Sequence, residues 1–161
     1  MNLFAFILGA GASLGLWQAA RRAPEGSASR SVDAGLVLLG ACLLGARAGY
    51  VLMRLPYYQT RWIEAPQFWL GGLSLSGAVI AGMVSLLVLA AIWGESLRSV
   101  LDLVAPLLST LGIAGWLACM QSGCAYGKEV IGHPWWGIPL ADESGLVAPR
   151  FPLQPLAAFS L

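Results

Sequence analysis

An all-α integral membrane bundle of about four crossings, joined by interfacial loops, is the fold class this sequence predicts, and three observations predict it. Of its 161 residues 58% are hydrophobic and only 11% charged, with a mean hydropathy of +0.73. Soluble domains carry roughly 25% charged residues, so this chain has too few polar groups to cover a water-facing surface. Its apolar residues gather into runs near the ~20 residues that a membrane-crossing helix requires. Short segments rich in Pro, Gly, Trp and charge separate the runs. Nine Lys+Arg stand against eight Asp+Glu, a net charge of +1, which leaves no basic footprint for a nucleic-acid backbone and excludes nucleic-acid binding. The length leaves room for about four or five crossings, hence a single transmembrane domain over 1–161.

The first run, Leu3 to Ala20, is uncharged and ends on Arg21 and Arg22. A signal peptide carries basic residues ahead of a shorter apolar core, so this run reads as a retained helix. Ala23 to Ser31, with Pro24, Gly26 and several serines, reads as a loop. Ala34 to Met53 is apolar except for Arg47, and its many Gly and Ala residues suit close packing inside a bundle. Arg54 to Gln67 mixes prolines, aromatics and charges as headgroup-level segments do. Trp69 to Trp93 is uncharged and bracketed by tryptophans; its GGLSLSG portion faces protein or a polar cavity rather than lipid.

Gly94 to Asp102 reads as a polar turn, and Leu103 onward as the fourth span, with Pro106 near its start. The spans therefore lie near 3–20, 34–53, 69–93 and 103–122, followed by an ordered interfacial loop over 128–150. The final FPLQPLAAFSL is apolar but too short to cross. The positive-inside tally is a tie, Arg21, Arg22, Arg30 and Arg98 against Arg54, Arg61, Lys128 and Arg150. The Arg21–Arg22 pair abutting the first helix places the first loop in the cytoplasm and the N-terminus outside.

Arg47 is the residue that demands an account, because a charge at mid-membrane costs about 2.5–3.5 kcal/mol on insertion scales. Two accounts are open: an anion site, with the guanidinium forked onto a phosphate or carboxylate, or snorkelling toward the interface at Arg54. Cys42, Cys119 and Cys124 are odd in number and lie in or beside apolar runs, so no disulfide framework is expected and Cys119 and Cys124 read as small buried hydrophobes. With His133 they match no common zinc spacing, and neither metal nor cofactor is expected. His133, in HPWW, is the one spare base, or else an exposed loop histidine.

The stretches GARAGYVL (Gly45–Leu52), WLGGLSLSGAVIAG (Trp69–Gly82) and DLVAPLLSTLGIAGWLACMQSGCAYGK (Asp102–Lys128), with LWQAARRA (Leu16–Ala23) ahead of them, resemble the bacterial prolipoprotein diacylglyceryl transferases in order and spacing. That resemblance implies a multi-pass enzyme of the bacterial plasma membrane. Its reaction moves diacylglyceryl from phosphatidylglycerol to the lipobox cysteine of a prolipoprotein, forming a thioether and releasing glycerol phosphate. Phosphatidylglycerol and the prolipoprotein signal peptide are the implied partners. Such a reaction needs a thiolate and cations to neutralise the leaving phosphate.

Matches to the family pattern include Arg47, Tyr50, Gly72, Ser74, Gly77, Asp102, Pro106, Gly123 and Gly127. The resemblance implies substrate binding by Arg47, Tyr50, Gly72, Ser74, Ser76 and Gly77. Close helix packing is the plainer account of Gly72 and Gly77, and a helix-terminal acid that of Asp102. The family's histidine falls on Ser76, which either bonds a lipid ester or back-bonds its own helix. Its arginine falls on Trp116, an asparagine on Cys119, another on Ser122 and an acid on Cys124; Phe151 replaces a later histidine, and an early tyrosine maps loosely onto Phe4 or Leu8. No catalytic residue is thereby assigned, and further helices of the family have no counterpart in the sequence. Two functions stand as expectations: a divergent transferase, or a non-catalytic protein that binds lipid or a partner bundle, or else a fragment of a split transferase.

Overall fold

The computed structural model describes residues 3–122, 124, 127–130, 132, 135–142 and 144–160. Among the described residues four helices are long and apolar enough to cross a membrane: α1 (Leu3–Arg22), α2 (Ala28–Met53), α4 (Leu75–Trp93) and α5 (Leu97–Ser122). The short α3 (Leu55–Tyr58) and two 3-10 turns, Trp62–Glu64 and Phe68–Leu70, lie between α2 and α4. After α5 come the strands β1 (Ile138–Ala141) and β2 (Val147–Arg150), paired antiparallel, and α6 (Leu153–Phe159). The candidate base His133 and the matched Gly123 lie outside the described residues.

Two compact units are present, one of Arg22–Val104 and one of Met1–Arg21 with Ala105–Leu161. In the first, α2 and α4 pack through small residues spaced four apart, Gly45 and Gly49 on α2 against Gly77 and Ala81 on α4. A Cβ on Gly45 would stand 2.1 Å from the Ala81 Cβ and 2.6 Å from the Gly77 carbonyl oxygen. Where lipid removes any hydrophobic force between helices, such close approach lets van der Waals contact hold them together. Beyond the crossing, Ala34, Leu38, Leu86, Leu89, Ala90, Val100 and Val104 form the buried core. Leu36, Val37, Leu43 and Leu44 are exposed, so α2 has one packed face and one exposed apolar face rather than being internal all round.

Helix bounds differ from the sequence expectation for identifiable reasons. α2 starts at Ala28, inside the expected loop, because its polar first turns find tertiary partners. The buried Ser31 hydroxyl donates to the Leu103 carbonyl at 2.8 Å, and Arg30 pairs with Glu95 at 2.8 Å. α4 starts at Leu75 rather than 69, since Gly71 and Gly72 take positive φ (78° and 77°) and interrupt any helix there. Its other end closes on Gly94 in the left-handed conformation. α5 begins at Leu97: the Ser96 hydroxyl accepts the Ser99 N–H at 3.2 Å, an N-cap that makes a helix of the expected polar turn. Asp102 therefore lies beyond the first turn of α5 and does not serve as its terminal acid.

In the other unit α1 meets α5 just as closely, a Cβ on Gly11 standing 2.3 Å from the Ala114 Cβ. The segment expected as a loop over 128–150 contains the β-hairpin. β2 also has a partner on its other side, where Val130 N–H donates to the Pro149 carbonyl at 2.9 Å and Phe151 N–H to the Lys128 carbonyl at 3.0 Å. Cys119 and Cys124 form a disulfide, which corrects the expectation of two unpaired thiols. Cys124 N–H bonds the Cys119 carbonyl at 3.0 Å, and the two Cα atoms come within 4.8 Å, inside disulfide reach. The odd count had obscured this: Cys42, the remaining cysteine, sits apart on α2.

Candidate functional site

All six residues singled out for substrate binding meet at the α2–α4 crossing and in the loop that precedes α4. Arg47, on the packed face of α2, is only 4% exposed. Its guanidinium is enclosed by backbone carbonyls. Nε donates to Ala65 O at 2.7 Å, Nη2 to Glu64 O at 2.7 Å, and Nη1 to Gly72 O at 3.1 Å and also to Gly71 O. The geometry is that of a brace: one planar fork collects the carbonyls of two separate turns of the loop and fixes them to α2. Burial of Arg47 is thereby reconciled with its charge, because the carbonyl dipoles replace lost water.

Two tyrosine rings flank the guanidinium, Tyr50 at 5.9 Å and Tyr58 at 5.6 Å from Cζ, in the range of cation–π attraction. Tyr58 is buried and meets Tyr50 edge-on. Gly72 owes its identity to two demands at once, a positive φ and the Tyr50 ring, whose Cε1 would stand 2.4 Å from any Cβ. Outside this shell, Glu64 accepts from the Tyr57 hydroxyl at 2.8 Å and lies 3.4 Å from Arg61. Arg61 is exposed, donates to the Tyr57 hydroxyl at 3.1 Å, and has its pKa raised, chiefly by its charge interaction with Tyr57 and the hydrogen bond to it.

Ser74 joins loop and helix. Its N–H donates to the Ala46 carbonyl at 2.9 Å and its hydroxyl accepts the Gly77 N–H at 3.3 Å, capping α4. Ser76, exposed in the first turn, shares a 2.8 Å hydroxyl–hydroxyl bond with Ser74 and does not back-bond its helix. The exposed first turn of α4 thus presents a hydroxyl and the positive end of a helix dipole, a setting that favours an anion. Gly77 is the crossing point itself: a Cβ there would stand 2.3 Å from the Gly45 carbonyl oxygen.

The other positions of interest belong to the second unit. Trp116 is half-buried on α5, and Cys119 and Cys124 are joined. A disulfide sulfur neither ionises nor takes up a proton, so these two positions supply no base. Gln154, 1% exposed, donates through Nε2 to the Cys124 carbonyl. Sequence reasoning missed Tyr58 and the carbonyls of Glu64, Ala65 and Gly71 as partners of Arg47. Tyr58 lies in a stretch whose prolines, aromatics and charges resemble a headgroup-level segment, and carbonyl acceptors carry no sequence signature.

A family model described as prolipoprotein diacylglyceryl transferase matches residues 1–160. Among similar proteins are three named phosphatidylglycerol–prolipoprotein diacylglyceryl transferase. That of Bacillus velezensis is 32% identical over 108 residues, 66% of this chain and 40% of its own length. That of Leptothrix cholodnii is 32% identical over 127 residues, 74% and 46% of the two chains. That of Bacillus licheniformis is 32% identical over 133 residues, 81% and 49%. The chain thus spans less than half the length of these relatives.

Proposed function

Since this chain belongs to the prolipoprotein diacylglyceryl transferase family, we propose that its four spans make a phosphatidylglycerol-handling membrane protein that transfers the diacylglyceryl group to a lipobox cysteine. One observation carries the reading: Arg47, Tyr50, Gly72, Ser74, Ser76 and Gly77 converge on the α2–α4 crossing. Arg47 shapes the loop, and the first turn of α4 receives the lipid phosphodiester, with Ser76 as donor. A bacterial plasma membrane supplies both the lipid and a prolipoprotein signal peptide entering from the bilayer.

In the transfer, the lipobox sulfur forms a bond to the glyceryl carbon as the carbon–oxygen bond to phosphate breaks, and glycerol phosphate departs. The thiol proton needs an acceptor. Ser76 is a hydroxyl and Glu64 is held by Tyr57 and Arg61, so neither is a free base. The departing phosphate monoester, whose second pKa is about 6, accepts the proton in this reading. The experiment is a transfer assay in phosphatidylglycerol-containing detergent micelles with a lipobox peptide, following thioether product by mass spectrometry. Product that disappears in Ser76→Ala supports the site.

A second reading, lipid binding without transfer, is favoured by the neutral residues at Ser76 and Trp116 and by the disulfide that holds Cys124, where the family pattern has ionisable groups. Phosphatidylglycerol binding with no thioether product decides for it.

A further inference from the structure

The β-hairpin has its polarity reversed relative to a sheet that faces water. Side chains alternate between the faces of a strand, and the register pairs Ile138 with Arg150 and Ala141 with Val147. One face therefore holds Ile138, Leu140, Ala148 and Arg150, of which Ala148 and Arg150 are buried. The opposite face holds Pro139, Ala141, Val147 and Pro149, with no polar side chain among them. Val147 is 62% exposed and the adjoining Leu146 64%. Of the hairpin's described charges, Arg150 is buried and pairs with Asp142 at 3.1 Å, and Asp142 also accepts the N–H groups of Ser144 and Leu146 at 2.9 Å each. Trp135, just before the hairpin, is 96% exposed.

We propose that this apolar face of the hairpin is seated in the headgroup region of the bilayer that α1 and α5 cross. The inference is independent of the transfer reaction. Continuity with the membrane identifies the occupant: α5, a span by length and composition, ends at Ser122. Two residues on, the Cys124 carbonyl accepts from the buried Gln154 of α6, which follows directly on β2. The hairpin is thus tied to the membrane exit of α5. An exposed tryptophan and a strand face free of charge match the chemistry of the interface, where amphipathic rings concentrate and apolar side chains leave water. Burying the outer face in lipid covers apolar side chains that the protein leaves exposed.

The test uses the full chain in phosphatidylglycerol/phosphatidylethanolamine vesicles, with Cys42→Ala to leave no free native thiol. Nitroxide labels are placed singly through Val147→Cys, Leu146→Cys and, as a water-exposed control, Glu25→Cys. Collision rates with oxygen, which partitions into lipid, and with a water-soluble nickel chelate are compared. The expected result is an oxygen-to-nickel ratio several-fold higher at 147 and 146 than at 25. A ratio equal to the control would overturn the proposal. So would protection from both reagents, which signals a protein partner, or spin–spin broadening relieved by dilution with unlabelled chain, which signals a second copy. Both labelled positions are exposed, and retention of the Cys119–Cys124 disulfide in each variant verifies the fold.

Discussion

Replacing Arg47 separates bracing from charge. In Arg47→Leu the carbonyls of Glu64, Ala65, Gly71 and Gly72 lose a shared donor. Hydrogen bonds to a charged group contribute about 1.5–3 kcal/mol each, but carbonyls that open toward water recover most of that, so a net loss of about 3 kcal/mol for loop closure is reasonable. At 1.4 kcal/mol per tenfold, opening of the 54–74 loop becomes about 100-fold more frequent. Trypsin reads this at Arg54 and Arg61, because cleavage follows the open population when reclosing is fast. Arg47→Lys keeps the charge but lacks the planar fork, so it falls between wild type and Arg47→Leu. Cleavage of both variants within threefold of wild type would refute the bracing argument. A lysine variant with an open loop and undiminished phosphatidylglycerol affinity would show that charge alone matters for the lipid.

Gly45→Leu drives a side chain into Ala81 and the Gly77 backbone; overpacking of this kind costs about 1–3 kcal/mol and lowers the thermal midpoint in detergent. Gly40→Ala, with open space at its Cβ, is the neutral control. Without reductant, thiol titration of the unfolded chain finds Cys42 alone, and after reduction Cys119 and Cys124 as well; a loop this short stabilises by roughly 2 kcal/mol in the chain-entropy account, so reduction lowers the midpoint. The Asp142 carboxyl is held below the usual carboxylate range, first by the Ser144 side-chain hydrogen bond and then by the Leu146 and Ser144 N–H groups and the Arg150 charge. A pKa depressed on folding gives stability that is full above the unfolded value, about 3.9, and lost as pH falls through the folded value. Amide exchange at Ser144 and Leu146, corrected for intrinsic rates, accelerates in that acid window, and Asp142→Asn abolishes the pH dependence.

How much was legible in the sequence follows from which forces are local. Runs of apolar residues near membrane thickness placed α1, α2, α4 and α5, because lipid solvation acts on each helix separately. The motif residues from Gly45 to Gly82 marked the region in which the candidate site lies. Arg47 was recognisable as anomalous, since a mid-membrane charge needs a partner. What that partner is lay beyond the sequence: carbonyls at positions 64, 65, 71 and 72 accept whatever their side chains are, and only the folded loop brings them to one guanidinium. Helix ends were decided the same way. Ser31 and Arg30 look like loop residues until Leu103 and Glu95 satisfy them. The disulfide required the Cys124 N–H to bond back to the Cys119 carbonyl, which the spacing of the two cysteines does not encode. The hairpin, with Pro139 and Pro149 in its strands, argues against itself by propensity and exists because β2 is paired on both sides. Composition and hydropathy thus determined that the chain carries helices long and apolar enough to cross a membrane, while polar satisfaction at a distance, available only in three dimensions, decided where helices begin and what Arg47 and the cysteines do.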